Sequence, residues 1–141
     1  MSPEQITKLF KQIDTNLICL EARVDQKEDM NYEFVFIHDT LFDISGYKES
    51  KFDSELYAIA KVENDDYIYM YSKHTPSYDR DVPPDDSMME SEESYGTLEA
   101  ALKGLMKFIL KGQISDFMDV LQEKEEDFTA QLFELVHGEK Y

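Results

Sequence analysis

The apolar residues of this chain change their spacing twice, and the order of those changes restricts the fold more than any single motif. Ile6, Leu9, Phe10 and Ile13 stand at i, i+3, i+4 and i+7, which is one stripe of an α-helix. Ahead of them Ser2 suits an N-cap, Pro3 the first helical position, and Gln5 the third member of a capping box. From position 16 the period falls to two. Ile18, Leu20, Ala22 and Val24 alternate with Leu17, Cys19, Glu21 and Arg23, the pattern of a strand with unequal faces. Residues 25–31 are polar and read as a turn. Residues 32–37 form a second strand, apolar on both faces except at Glu33, which suits a strand inside its sheet.

A loop is expected at 44–51, around Gly46. Two further strands, 56–62 and 67–72, flank Glu63-Asn64-Asp65-Asp66, a connection of hairpin length. Tyr67, Tyr69 and Tyr71 then share one face of the last strand, with Ile68 and Met70 on the other. The helical period returns after Thr97, a candidate N-cap, with Leu98, Leu102, Leu105 and Ile109 as the buried stripe and Gly112 as the end. A last helical region runs from a cap at Ser115 to about His137 and stops at Gly138. The acidic run 122–127 lies inside it, as a continuation or a break. Strands and helices are thus segregated, which opposes a parallel α/β sheet. The expected fold is α+β: an N-terminal helix, a four-stranded antiparallel meander, and two C-terminal helices packed on one face, all in one domain over 1–141.

Charge is the second constraint. The 141 residues carry 31 Asp and Glu against 14 Lys and Arg, a formal net charge of −17. An apolar share of 42% is too high for a disordered chain, so the acid decorates a folded surface. Such a field repels nucleic acid and anionic lipid and favours a cationic partner. One cysteine excludes a disulfide framework. No apolar run approaches the roughly 20 residues of a membrane span, and the N-terminus has no signal-peptide core, so a cytoplasmic protein is expected. The acid concentrates at 74–96, where Pro76, Pro83 and Pro84 interrupt Asp79, Asp81, Asp85, Asp86, Glu90, Glu92 and Glu93, with Arg80 as the one base. This stretch has no core-forming pattern and reads as a long exposed loop.

Catalytic signatures are sparse. Cys19 sits between Ile18 and Leu20 and reads as a small core residue, not a nucleophile. Phe36-Ile37-His38-Asp39-Thr40-Leu41 resembles one half of the signature of the two-histidine phosphoesterases, which need a second such motif so that one histidine is base and the other acid. His74-Thr75-Pro76 and His137-Gly138-Glu139 do not match it, so His38 reads as the cap of a strand or turn. The acidic stretch lacks the ligand alternation, central glycine and distal glutamate of an EF-hand, and three scattered histidines give no zinc spacing. The five glycines are isolated, with no phosphate-binding loop. No catalytic residue, metal site or cofactor is expected.

These features point to a non-enzymatic acidic protein that neutralises a basic partner, such as a toxin or nuclease. It resembles immunity proteins in size, acidity and architecture; a phage-type inhibitor imitating the charge of DNA would use the same physics. The expected contacts are Tyr78, Asp79, Asp81, Asp85, Asp86, Glu90, Glu92, Glu93 and Tyr95, with Asp116, Asp119, Glu123, Glu125, Glu126 and Asp127 as the alternative surface. Either a monomer or a homodimer fits. Two other classes remain open: a dimeric acidic export chaperone with an apolar groove, and a small metal-dependent hydrolase. The hydrolase requires Asp79, Asp81, Asp85 and Asp86 to converge with His38 or His74.

Overall fold

A computed structural model describes residues 2–27, 30–38, 54–75, 77, 79–83, 85–113 and 118–138. Helix α1 spans Pro3–Phe10, and its start is the capping box expected from the sequence. The Gln5 amide donates to Ser2 Oγ at 3.2 Å, and the Ser2 amide donates to Gln5 Oε1 at 2.8 Å. Two of the orphan donors of the first turn are satisfied in this way. Ile6, Leu9 and Phe10 are buried, as their spacing requires.

The chain then turns through Asp14, whose Oδ1 accepts from the Asn16 amide at 3.0 Å. Five strands follow: β1 (Leu17–Lys27), β2 (Met30–His38), β3 (Ser54–Lys61), β4 (Tyr67–Thr75) and β5 (Asp85–Glu90). They form one antiparallel sheet in the order β1-β2-β3-β4-β5. The polar stretch 25–31 is therefore mostly strand, because β1 continues to Lys27 and β2 already begins at Met30. The loop expected at 44–51 lies outside the described residues. A single 3-10 turn, Glu63–Asp65, joins β3 to β4, with Asn64 and Asp65 at φ 65° and 60°. Asn and Asp tolerate this left-handed conformation better than other side-chain-bearing residues.

The sheet has five strands and not four, and the extra one comes from the acidic stretch read as loop. Asp85–Glu90 pairs with β4 from Thr75↔Asp85 to Met70↔Glu90. Its alternation was invisible because strand hydrophobicity reports burial. Here the backbone ladder makes the strand, while the side chains of Asp85, Ser87, Met88, Met89 and Glu90 are all exposed.

Helix α2 (Leu98–Gln113) starts where Thr97 Oγ1 accepts from the Ala100 amide at 3.1 Å. Gly112 lies inside it and not at its end. Helix α3 (Met118–His137) runs unbroken through 122–127 and stops at Gly138, φ 69°. The Ser115 cap lies outside the described residues. Helix α1 packs on β1, and α2 on β3 and β4, while α3 packs on α1 and α2; together they share one core with Leu17, Cys19, Phe34, Phe36, Tyr57 and Ile59. Phe10 joins the layers, with ring centroids 4.9 Å from Phe36 and 5.2 Å from Phe128. A β-bulge between Cys19 and Glu21 shifts the pairing of β1 with β2, so the simple alternation of the sequence does not persist along β1. Ala58, Ala60, Ile68 and Met70 are buried on the opposite face. No helix among the described residues is long and apolar enough to cross a membrane.

Candidate functional site

Strand β5 closes one edge of the sheet, and the sequence-expected contact residues divide around it. Asp79 and Asp81 lie in the turn before β5, Asp85 and Glu90 at its ends, and Glu92 and Glu93 just beyond; all six are exposed. Asp86 lies in β5 as the register partner of His74, and Tyr78 lies outside the described residues. Asp79 also builds its own turn: its Oδ1 accepts from the Asp81 amide at 3.0 Å, and its carbonyl from the Val82 amide at 3.2 Å. Val82, Met88 and Met89 add apolar surface, at 53%, 64% and 53% exposure.

No ion pair among the described residues engages Asp79, Asp81, Asp85, Glu90, Glu92 or Glu93, whereas the alternative surface on α3 is partly neutralised. There Glu125 lies 3.0 Å from Lys107 and 4.0 Å from Lys103. Asp116 lies outside the described residues. Six exposed carboxylates without an ion pair among the described residues thus stand in and around β5, and four more, Asp119, Glu123, Glu126 and Asp127, on α3.

Tyr95 is not a loose anchor on this edge. Its backbone exchanges two 2.7 Å hydrogen bonds with Tyr67, and its ring lies on α2 at Gly104. A Cβ at that glycine would stand 2.6 Å from Tyr95 Cζ, so the bare backbone is what admits the ring. Tyr95 thereby joins Tyr69, Tyr71 and Phe108 in a cleft of about 510 Å³ between β4, β5 and α2. Met89, Glu90, Glu92 and Glu93 form its outer rim. A second cleft of about 580 Å³ shares Tyr71, Phe108 and Lys111 with the first and reaches His38, Glu55 and Tyr57. Ring centroids run through the groove at 6.2 Å (Tyr95–Tyr69), 5.4 Å (Tyr69–Phe108 and Phe108–Tyr71) and 5.2 Å (Tyr71–Tyr57). The tyrosine face of β4 is thus half covered by α2 and half open.

The inner end of the groove holds a cluster that no sequence spacing announced. His38 Nε2 lies 3.2 Å from Glu55 Oε2 and 3.0 Å from Asp14 Oδ2, so one ring nitrogen faces two carboxylates. Glu55 also accepts from the hydroxyls of Tyr57 at 3.1 Å and Tyr71 at 3.2 Å. The His38 hydrogen bond, opposed by burial and helped by the two phenols, holds the Glu55 carboxyl below its ordinary 4.5. Burial and the Glu55 charge push Tyr71 up to about 12. His38 is more than a strand cap: it ties the turn after α1 to the ends of β2 and β3. Its partners stand at positions 14 and 55, so only the folded chain brings them together.

A pH dependence follows from Glu55. Its pKa is lower folded than unfolded, so its contribution to stability is fully present above about pH 4.5 and is lost as pH falls through the folded value. Glu55→Gln should therefore flatten the acid side of a plot of urea-unfolding free energy against pH between 3 and 6. An acid side as steep as wild type would show that other carboxylates carry it.

Hydrolysis would require the acids to converge with His38 or His74; His74 is the register partner of Asp86, whereas His38 stands apart from them. Strands β3 and β4 separate β2 from β5, which at about 4.8 Å per strand puts His38 roughly 14 Å from Asp85. Among the described residues no group of three His, Cys, Asp or Glu side chains is placed to hold a metal ion. Cys19 is buried and its thiol is pushed up to about 12, consistent with a core residue. No protein-family model matches this chain, and no curated protein or solved structure matches it.

Proposed function

We propose that this protein is a non-enzymatic acidic binder that neutralises a basic protein, as an immunity protein neutralises a toxin such as a nuclease. One observation supports this reading above the others: the β5 edge carries exposed carboxylates without cationic partners. An edge strand also offers backbone N–H and C=O groups to an incoming chain. Tyr71↔Met89 and Tyr69 with Ser91 belong to the alternate residues bonded towards β4, which leaves the backbone groups of 86, 88 and 90 pointing outward. The carboxylates steer a cationic partner to the edge and discourage a second copy, because symmetric pairing would set acid against acid.

The test is a binding and inhibition assay against a panel of purified basic nuclease domains, with an acidic protein as control. At least one nuclease should be inhibited, and its affinity should fall by an order of magnitude or more as salt rises from about 50 to 500 mM, because screening shortens the reach of exposed charges. Inhibition independent of salt, or no inhibition by any member of the panel, would overturn the proposal. Salt-independent binding to unfolded export substrates would support the chaperone reading in its place.

A further inference from the structure

We propose that the cleft between β4, β5 and α2 receives a single arginine side chain of the basic partner, with the guanidinium against the faces of Tyr69 and Tyr95 and directed towards Glu92 and Glu93. This inference rests on the acidic-binder reading and adds what the partner must present.

Tyr69 and Tyr95 stand 6.2 Å apart with their rings inclined by 30°, and Phe108 lies 5.4 Å from Tyr69. Faces of this kind attract a cation through the ring quadrupole, more strongly where water is partly excluded. Met89 and Leu121 line the same cleft and offer an apolar path for the methylene stem. Among the described residues, neither the Tyr69 nor the Tyr95 hydroxyl has a hydrogen-bond partner, and the Tyr95 hydroxyl lies against the backbone at Gly104.

Charge then selects the occupant. Glu90, Glu92 and Glu93 face two lysines across the cleft. Lys107 is already held by Glu125 at 3.0 Å. Lys111 lines both this cleft and the second one. Burial, then Tyr95 and the Glu92 and Glu93 charges, push the Tyr69 hydroxyl up; burial and Glu93 push Tyr95 up, against the Lys107 charge. Arginine suits this site better than lysine because its group is planar, more weakly hydrated, and rich in in-plane donors that reach hydroxyl and carboxylate together.

The test needs no natural partner. N-acetyl-arginine amide is titrated into the whole chain while the aromatic side-chain NMR signals are followed, with the citrulline amide as a neutral probe of the same shape. Saturable shifts confined to Tyr69, Tyr71, Tyr95 and Phe108 are expected, with citrulline at least about tenfold weaker. Glu92→Gln with Glu93→Gln should lower the arginine affinity about tenfold. Met89→Arg, at an exposed rim position, should fill the cleft from within and abolish the shifts. Equal binding of citrulline, shifts spread evenly over the acidic surface, or full binding by Met89→Arg would overturn the proposal. The two readings fail separately. An empty cleft in a chain that still inhibits a basic nuclease removes only the pocket, whereas a filled cleft without any basic protein partner removes the acidic-binder reading.

Discussion

Replacing Asp79, Asp81, Asp85, Glu90, Glu92 and Glu93 by their amides should slow association with an inhibited basic nuclease at least about tenfold at low salt, while leaving the melting temperature unchanged or slightly raised. The six substitutions remove six charges, taking the formal net charge from −17 to −11. They remove no ion pair among the described residues and no buried contact, since all six side chains are exposed. Asn at position 79 keeps the oxygen that accepts from the Asp81 amide, so the turn before β5 survives. Stopped-flow association at two salt concentrations, beside a thermal melt, reads both halves of the prediction. An unchanged association rate would mean that the edge is only a solvated surface and that the partner meets the chain elsewhere, with α3 next in line.

The largest loss of stability is expected from Phe10→Ala. An eight-residue helix has little persistence of its own, so α1 depends on what it packs against. Phe10 is fully buried and touches the rings of both Phe36 in β2 and Phe128 in α3, so its removal leaves a cavity where helix, sheet and helix meet. Large-to-small changes of this kind cost about 3–5 kcal/mol. That is a large part of the roughly 5–15 kcal/mol that holds a typical domain together. Urea unfolding should show a much lower midpoint with little change in slope. A loss below about 1 kcal/mol would show that α1 is a loosely attached appendage.

Much of the architecture was legible because the relevant signals are local. The capping box of α1, the stripe of α2 and its Thr97 cap, and the stop of α3 at Gly138 each depend on residues within a turn or two of one another. The first four strands were legible for a related reason, as short apolar runs bounded by polar residues, with β2 apolar on both faces. Strand β5 failed that test because Asp85, Ser87, Met88, Met89 and Glu90 are all exposed. Gly112 was misread as a terminus because glycine is also tolerated inside a helix that tertiary packing holds, at a cost of about 1 kcal/mol.

The candidate site divides along the same line. The exposed carboxylates were visible as composition, and their position on a sheet edge was not. Tyr95 was singled out as an anchor for a partner, but the fold uses it first as a wall, bonded through its backbone to Tyr67 and seated on Gly104. The grouping of Asp14, His38 and Glu55 had no signal in the sequence at all.

By itself the sequence determined the order of the three helices and the first four strands, the surplus of acid and the stretch in which that acid lies. Those properties are set by neighbours along the chain and by simple addition of charge. Only the tertiary structure decided that the acidic stretch pairs as a fifth strand, that six of its carboxylates have no ion pair among the described residues while Glu125 finds lysines, and that an aromatic groove opens beside it. Each of these depends on strand register and on helix placement over the sheet, which bring together residues that no local pattern relates.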